Sequence, residues 1–484
     1  MVYTRAGLLF LFLHREILYN GGMEATSLKI IKKLREAGYK AYFAGGCVRD
    51  MLLNTAPKDF DIVTDAKPDE IEKLFEKTYP VGKAFGVILV HENGHTFEVA
   101  TFRSDGGYSD GRRPDFVTYS DPKEDALRRD FTINALFYDP VSEEVLDFVG
   151  GRDDLQEKII RFVGDPEARI LEDHLRLLRA VRFKNTLGFQ WHPDTYNAVK
   201  KHAAKAGKVA MERARDELNK IMLSDHPVEA LRELHELRMF DEIMPELEAT
   251  RGVAQPYKYH HEGDVFEHTM KTLASAVKRT EPYLDLEFLK DMQGGPPEPS
   301  VFHARWAALF HDIGKPLTFG HGEDTATGED RIRFDHHAEA THEIAGRVMK
   351  RLRFSGSDMA HILWVTEHHM NLNSLLDMPE GARNKWFRNP YFIDLMEVFH
   401  ADIAGTEPSD FSTFDQVNRL YHKWLLERPE ELPKLLDGEE IMKLTGLSAS
   451  KELGEVIEKL SDEVHAHKIT TKEQAMEFVK KLRG

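Results

Sequence analysis

The stretch Ala44-Gly-Gly-Cys-Val-Arg-Asp50, followed nine residues later by Asp59-Phe-Asp61, constrains this chain more than any other feature. Residues 41–44 read as a short strand, Gly45 and Gly46 as a tight turn, and Val48 to Leu53 as the start of a helix. Backbone N–H groups at such a start point toward anions, and glycine lets a phosphate approach closely. Asp59 and Asp61 lie two apart in a segment that alternates like a strand, which predicts both carboxylates on one face. Two hard oxygen donors on one face suit paired magnesium ions, which activate a hydroxyl and steady a departing pyrophosphate. Together the turn and the acid pair point to nucleotidyl transfer. A Gly-Gly turn alone is usually only a turn, and Asp-x-Asp alone is usually a solvated strand face.

At 484 residues the chain has room for several domains, and 41% hydrophobic with 30% charged residues is ordinary for a globular protein. No stretch approaches the roughly 20 apolar residues of a membrane span. The single cysteine, Cys47, excludes internal disulfides and fits a reducing cytoplasm. Beside the turn it reads as a small packing residue rather than a nucleophile. A net charge of −17 opposes RNA binding by the whole surface, since neutralising phosphates needs lysine and arginine. Residues 151–220 nevertheless carry 15 Lys and Arg against 11 Asp and Glu. Within them Lys200, Lys201, Lys205, Lys208, Arg213 and Arg215 form a candidate basic strip, with a solvated helix face as the alternative.

Residues 1–23 are expected to be an amino-terminal extension from an upstream start codon. Gly7 to Leu13 is too short for a secretory signal, and no small-residue cleavage site follows. Residues 24–150 mix helix-like and alternating segments, predicting a head with a sheet, interrupted by a loop from Ser104 to Gly111. From Asp153 onward the periodicity is helical. Gln293 to Pro299 and His321 to Glu329 break the helices, the latter as an inserted loop. No internal repeat is evident.

The joint pattern GGxVRD…KDFDIVT resembles the head of the tRNA nucleotidyltransferase and bacterial poly(A) polymerase superfamily, the class II branch of the polymerase-beta-like enzymes. The resemblance implies that Gly45, Gly46 and Arg49 meet the incoming triphosphate and that Asp59 and Asp61 carry Mg2+. Glu98, in Thr96-Phe-Glu-Val-Ala-Thr-Phe-Arg103, is the candidate third catalytic carboxylate, a solvated strand face being the alternative. Leu127-Arg-Arg-Asp-Phe-Thr-Ile-Asn-Ala135 resembles the second family motif, which assigns Arg128 and Arg129 to the triphosphate and sugar. A capped helix start is the plain reading of the same string. Asp147 to Leu155 resembles the family's flexible motif linking head to neck.

In Glu172-Asp-His-Leu-Arg-Leu-Leu-Arg-Ala-Val-Arg-Phe183, Asp173, Arg176, Arg179 and Arg182 recur every three residues. On one helix they would form a slanting polar ribbon, which by itself describes a salt-bridged surface helix. The segment resembles the family's amino-acid template for the incoming base. Cytosine and adenine each present an exocyclic amine beside a ring-nitrogen acceptor, so a carboxylate and a guanidinium can read both. Guanine and uracil mismatch both contacts. The Asp173/Arg176 pair is therefore expected to favour CTP and ATP, with Arg179 and Arg182 completing the nucleotide site.

Thirteen of the 24 histidines fall between His260 and His400. Imidazole and carboxylate are the ligand types of a divalent-metal hydrolase. The series resembles the HD phosphohydrolase superfamily, with His268, His311, Asp312 and Asp402 as the implied ligand set. His336, His337, His368 and His369 are candidates to line the same pocket, His337 and His368 as further metal ligands. In a subset of bacterial CCA-adding enzymes such a module follows the head and neck, where it is associated with phosphatase and 2′,3′-cyclic phosphodiesterase activity.

These readings give an α+β chain: a polymerase-beta-like nucleotidyltransferase head with a mixed sheet (24–150), an all-helical neck and body with the base-selecting helix (151–255), a helical HD module (256–425), and a helical tail (426–484) that contacts tRNA or merely caps the module. The expected activity is template-independent addition of C and A to tRNA 3′ ends from CTP and ATP. The head is expected to use Mg2+, the HD site Mg2+ or a divalent transition metal. A poly(A) polymerase, a CC-only or A-only enzyme, and an HD phosphohydrolase with a non-catalytic RNA-binding head are the alternatives. No membrane partner is expected, and the oligomeric state is open, a homodimer included.

Overall fold

The computed structural model of the chain describes residues 21–108, 111, 114–278, 298–323, 330–427, 435–448 and 450–482. Residues 1–20 of the expected extension lie outside the described residues, as do 109–110, 293–297 and 324–329 of the three expected breaks and 428–434 of the tail. Contacts divide the chain into two compact units, Met1–Ile221 with Glu229–Ile243, and Met222–Val228 with Met244–Gly484.

In the first unit, α1 (Gly21–Glu36) buries Ile30, Ile31 and Leu34, the spacing of one helix face. The sheet has seven strands in the order β3 (Thr78–Gly82), β4 (Val87–Glu92), β5 (His95–Thr101), β2 (Asp61–Thr64), β1 (Ala41–Ala44), β8 (Leu136–Asp139) and β9 (Glu144–Asp147). The β2–β5 pair is parallel and the β1–β2 pair antiparallel, so the sheet is mixed, as expected. Neighbouring residues of β2 face opposite sides. Ile62 packs with Phe43, Val90, Val99 and the α1 residues, whereas Val63 packs with Phe102, Phe137 and Val163.

Two expected loops begin as strands. The segment from Ser104 belongs to β6 (Arg103–Gly106), which pairs antiparallel with β7 (Phe116–Tyr119). His321 belongs to Phe319–Glu323, which pairs antiparallel with Asp330–Phe334 in the second unit. Glycine and aspartate disfavour strands by propensity, but ladder hydrogen bonds form through the backbone and tolerate them in two-stranded ribbons.

The head passes into helices through a tightly bonded turn. Asp147 accepts from the backbone N–H groups of Val149, Gly150, Gly151 and Arg152 at 2.9–3.1 Å, ahead of a helix at Gly151–Glu157. Phe131 stacks on Phe162 at 4.8 Å and meets the edge of Phe183 at 5.5 Å. Among the described residues, the regular structure of the second unit is helical apart from the ribbon. Its last three helices, Gly438–Thr445, Lys451–His465 and Lys472–Lys481, enclose a small core of Ile441, Leu453, Leu460 and Val479.

One ion pair ties the end of the head to the helix at Arg176–Thr186: Arg179 donates to Asp130 Oδ2 at 2.6 and 2.8 Å. Burial would raise the Asp130 carboxyl, but the Arg179 and Arg176 guanidinia outweigh it and hold the group down to about 2. A value depressed in the folded state gives stability that is complete above the unfolded carboxyl's value of about 4 and is lost as pH falls toward 2. Asp130→Asn is thus expected to cost about 2 kcal/mol at neutral pH. Urea midpoints should also fall less between pH 5 and pH 3 in this variant than in the wild type; identical pH slopes would contradict the assignment.

Candidate active sites

Ala44 lies opposite Asp61 in the β1–β2 ladder, so the chain leaving β1 enters its glycine turn beside the first residue of β2. Gly45 has φ 75°, a left-handed value that favours glycine. A Cβ built there would lie 3.1 Å from Arg129 Nη1 and 3.8 Å from Asp61 Oδ2. The bare backbone therefore keeps open the space between a cation and a carboxylate. Gly46 opens α2 (Gly46–Leu52), on which Arg49 sits.

Asp61 and Glu98 each precede a paired residue, Ile62 and Val99, and so hold matching positions on neighbouring strands. Asp59 departs from the expectation, because the strand begins at Asp61 and Asp59 lies exposed in its lead-in. The three acids still act on one another. Burial first, then the Asp59 and Glu98 carboxylates, push the Asp61 carboxyl up to about 6 against the pull of Arg129. Oxygen donors that repel one another in this way fit a hard divalent cation. Cys47 is buried and donates to the Ala44 carbonyl at 3.2 Å. Burial, then Asp61, push its thiol up to about 12, so it packs rather than attacks.

The arginines facing this corner rest on acids. Asp125, fully buried in the helix at Pro122–Leu127, takes Arg128 on Oδ1 at 2.7 Å and Arg129 on Oδ2 at 3.0 Å. Arg49 donates to Asn134 Oδ1 at 2.7 Å and to Asp50 Oδ1 at 2.6 Å. Arg182 donates to the buried Glu217 at 2.5 Å, and Arg179 lies 3.6 Å from the same carboxylate. Arg49, Arg179 and Arg182 converge over the Phe183 ring at 5.2, 5.2 and 3.9 Å. Sequence reasoning does not single out Asp125, Asn134, Phe183 or Glu217. Asp125 leaves a trace, standing three and four residues before its arginines.

The ribbon expected from Asp173 to Arg182 is broken at its start. One helix ends at Glu172, Asp173 is extended (φ −146°, ψ 106°), and the next helix begins at Arg176. Asp173 Oδ1 accepts from the Leu175 N–H at 3.1 Å, a local bond that competes with helix continuation. Its carboxylate takes two bonds from Arg213, at 3.0 and 2.7 Å. Arg176 turns inward to Glu172 and the Arg169 carbonyl, at 2.5 and 2.8 Å. In the basic strip, Lys201 is paired with Glu167 and Arg215 with Asp216.

In the second unit, five segments bring the histidine cluster together. His268 comes from Val265–Lys278, His311 and Asp312 follow Val301–Phe310, and His337 opens His337–Arg351. His369 follows Gly356–His368, and Asp402 lies on Phe392–Gly405. Two triads result, His268 with His311 and Asp402, and Asp312 with His337 and His369, each with its ligand atoms within 4.8 Å of one another. His268 Nε2 lies 3.2 Å from His311 Nε2 and 2.9 Å from Asp402 Oδ1. His337 Nε2 lies 3.4 Å from His369 Nε2 and 3.5 Å from Asp312 Oδ1.

The outer nitrogens supply the test of whether these residues fit a metal. His311, His337 and His369 direct Nδ1 to the carbonyls of Ala308, Phe334 and Thr366 at 2.7–2.9 Å, and His268 directs it to Glu262 Oε1 at 2.9 Å. Every ring is thus held with Nε2 facing inward, the arrangement that orients metal-ligating histidines. Burial opposes protonation of His268, yet hydrogen bonds to Asp402 and Glu262 raise it to about 9, while burial and then His311 lower His369 to about 4. The expectation for His368 is corrected. Its Nδ1 bonds the Trp364 carbonyl at 2.7 Å and its ring stacks on Trp364 at 4.7 Å, leaving His369 to join the cluster. Glu262 and Lys315 complete the surroundings; Lys315 Nζ lies 2.6 Å from Asp312.

Residues 41–161 match the poly A polymerase head domain, 188–250 the probable RNA and SrmB-binding site of polymerase A, and 265–402 the HD domain. The chain is 42% identical over 226 residues to a CCA-adding enzyme of Bacillus pumilus, 46% of this chain and 56% of that protein. It is 45% identical over 203 residues to one from Lactiplantibacillus plantarum, 42% of this chain and 50% of that protein. The match thus spans about half the length of these curated relatives. Among solved structures, the Bacillus stearothermophilus CCA-adding enzyme in complex with CTP aligns with a TM-score of 0.62 at 24% identity, covering 95% of this chain and 97% of that one. The Thermotoga maritima CCA-adding enzyme complexed with tRNA aligns with a TM-score of 0.56 at 20% identity, covering 98% and 97%. The chain is thus similar to CCA-adding enzymes over about half of their length, and it carries in one sequence matches to a poly A polymerase head domain, to the probable RNA and SrmB-binding site of polymerase A and to an HD domain.

Proposed function

We propose that the chain is a nucleotidyltransferase that adds C and A to the 3′ ends of tRNA, and that its HD module hydrolyses phosphate esters. The observation carrying the first part is Asp61 at the start of its strand, matched by Glu98 on the neighbouring strand and lying across the bare backbone of Gly45 from Arg129. Divalent ions held by Asp59, Asp61 and Glu98, Mg2+ by the chemistry of the donors, would supply the positive charge that favours hydroxyl attack and pyrophosphate departure. The remaining work falls to the chain itself. Gly45 and Gly46 admit the triphosphate to the backbone, while Arg49 and Arg129 grip its oxygens with forks already oriented by Asn134 and Asp125. The RNA 3′ hydroxyl then attacks the α phosphate.

Asp173 accepts the exocyclic amine of cytosine or adenine. Arg213, which donates to both Asp173 carboxylate oxygens, is the guanidinium that accompanies it, while Arg176 is engaged with Glu172. In the HD module, His268, His311 and Asp402 would hold one ion and Asp312, His337 and His369 a second, supplying Lewis acidity for phosphate-ester hydrolysis. The two activities are chemically complementary, because a 3′ or 2′,3′-cyclic phosphate blocks the hydroxyl that the head requires.

The test is product size. Given tRNAs ending before CCA or after CC, and oligo(A), the protein should add two residues from CTP to the first and one from ATP to the second. Oligo(A) should stay unextended, and GTP and UTP unused. Long A runs on oligo(A) would make it a poly(A) polymerase, and phosphatase activity without any incorporation would reduce it to a hydrolase. Asp173→Ala should lower the preference for CTP over UTP roughly 10- to 100-fold, the worth of a bidentate base contact, with triphosphate affinity unchanged. Preserved discrimination would remove Asp173 from base selection.

A further inference from the structure

Two groups of ligands act as one metal centre only when the fold holds them in register, because such centres tolerate displacements of about 0.5 Å. In the HD module the two triads meet at one short turn. His311 belongs to the first and Asp312 to the second. Asp312 Oδ2 lies 3.2 Å from His311 Nε2 and its Oδ1 lies 3.5 Å from His337 Nε2, so one carboxylate turns an oxygen toward each group. The turn follows the helix Val301–Phe310, whereas His337 opens the helix His337–Arg351. Whatever fastens the turn to that second helix therefore fixes the triads relative to each other.

Thr341 stands at that junction, about one turn beyond His337 on the same helix, and is fully buried. Its Oγ1 donates to the His311 carbonyl at 3.1 Å and accepts from the Gly314 N–H at 3.0 Å, so one hydroxyl clasps both ends of the turn. A threonine inside a helix ordinarily turns its hydroxyl back to a carbonyl three or four residues earlier. Here the hydroxyl reaches across to another segment. The approach is close enough to require glycine, since a Cβ built on Gly314 would lie 2.5 Å from the His337 carbonyl oxygen and 2.7 Å from Thr341 Oγ1. Gly314 has φ −82°, which any residue adopts, so it serves space rather than conformation. Thr341 does not line the cavity of about 650 Å3 that Asp312, His337, His369 and Asp402 help to bound. Any effect it has on bound ions passes through the ligands.

We infer that Thr341 is a positioning residue of the HD module: its hydroxyl holds the turn of His311 and Asp312 on the helix of His337 and so sets the spacing of the two ligand groups. This rests on the two-ion reading of the module proposed above and adds the residue that joins its halves. Without the hydroxyl, the His311 carbonyl and the Gly314 N–H lose a shared partner in a buried place, and the turn is free to shift to find others. Asp312 and His311 shift with it, away from His337.

The experiment titrates the full-length protein with Mn2+ in an Asp59→Asn, Asp61→Asn background, which removes the ion ligands of the head. Calorimetry reads the number and affinity of bound ions, and electron paramagnetic resonance reads the coupling expected of two ions about 4 Å apart. Hydrolysis of p-nitrophenyl phosphate is followed in parallel. The background protein should bind two coupled ions. Thr341→Val, which keeps the side chain's shape, should leave the first ion in place and weaken the second about 10- to 100-fold, the usual worth of a group that orients metal ligands. The coupled spectrum should give way to that of isolated Mn2+. Thr341→Ser should restore both ions and the coupling; Thr341→Ala should behave as Thr341→Val and carries the test if the latter fails to fold. Two coupled ions of unchanged affinity in the valine and alanine variants overturn the inference, as does a serine variant as defective as they are. If the background protein binds two coupled ions without hydrolysing the ester, the inference stands and the hydrolase reading falls. If it binds one ion and hydrolyses the ester, the reverse holds.

Discussion

An arginine can serve a polyanionic ligand in a defined geometry only if something holds its fork in place before the ligand arrives, and in this protein buried and half-buried carboxylates do so. Asp125 bears Arg128 and Arg129, Asp130 bears Arg179, and Glu217 bears Arg182. Removing one member would leave a buried charge without its partner, which is why such pairs are costly to break. The same pairs explain how a chain of net charge −17 can present an ordered cationic surface. Part of its acid excess is bound internally to position guanidinium groups, three of which meet over Phe183.

The second unit applies the same logic to imidazole. Each clustered histidine is anchored through Nδ1 to a carbonyl or to Glu262, so hydrogen bonds of the fold orient the inward nitrogens. Ala308 and Thr366 lie in the last turns of their helices, where carbonyls lack helical partners, and Phe334 ends a strand of the ribbon, so the ligand set is tied to the packing of several elements of the module. In both units the reactive corner is carried by residues that sequence reasoning passes over, because a partner acid or carbonyl has no motif of its own.

What could be read from the residues follows from how local the cause is. The strand, glycine turn and helix at residues 41–52 depend on local backbone preferences and appear as expected. The alternation that predicts Asp59 on the strand continues past the point where the ladder starts, because pairing is a property of two strands. Asp173 keeps its spacing of three from Arg176, yet a side-chain bond to Leu175 N–H ends the helix that the spacing assumes. Of the doubled histidines His368 and His369, one residue's rotation of about 100° decides which meets the cluster, and only the packing of Trp364 chooses. The Asp173–Arg213 pair joins residues 40 apart and left no trace in the sequence.

Nucleotidyl transfer by this chain depends on the acids of the head sheet. The most direct measurement of that dependence is the single-turnover rate of CTP incorporation into a tRNA lacking CCA, at saturating CTP and Mg2+, for the wild type and Asp61→Asn. The substitution keeps the size of the side chain and removes its charge. A fall of about a thousandfold or more with CTP affinity preserved is expected, since charge placed at the reacting phosphate is among the largest contributions to such catalysis. Incorporation within a few-fold of wild type would show that transfer does not depend on Asp61 and would contradict the account.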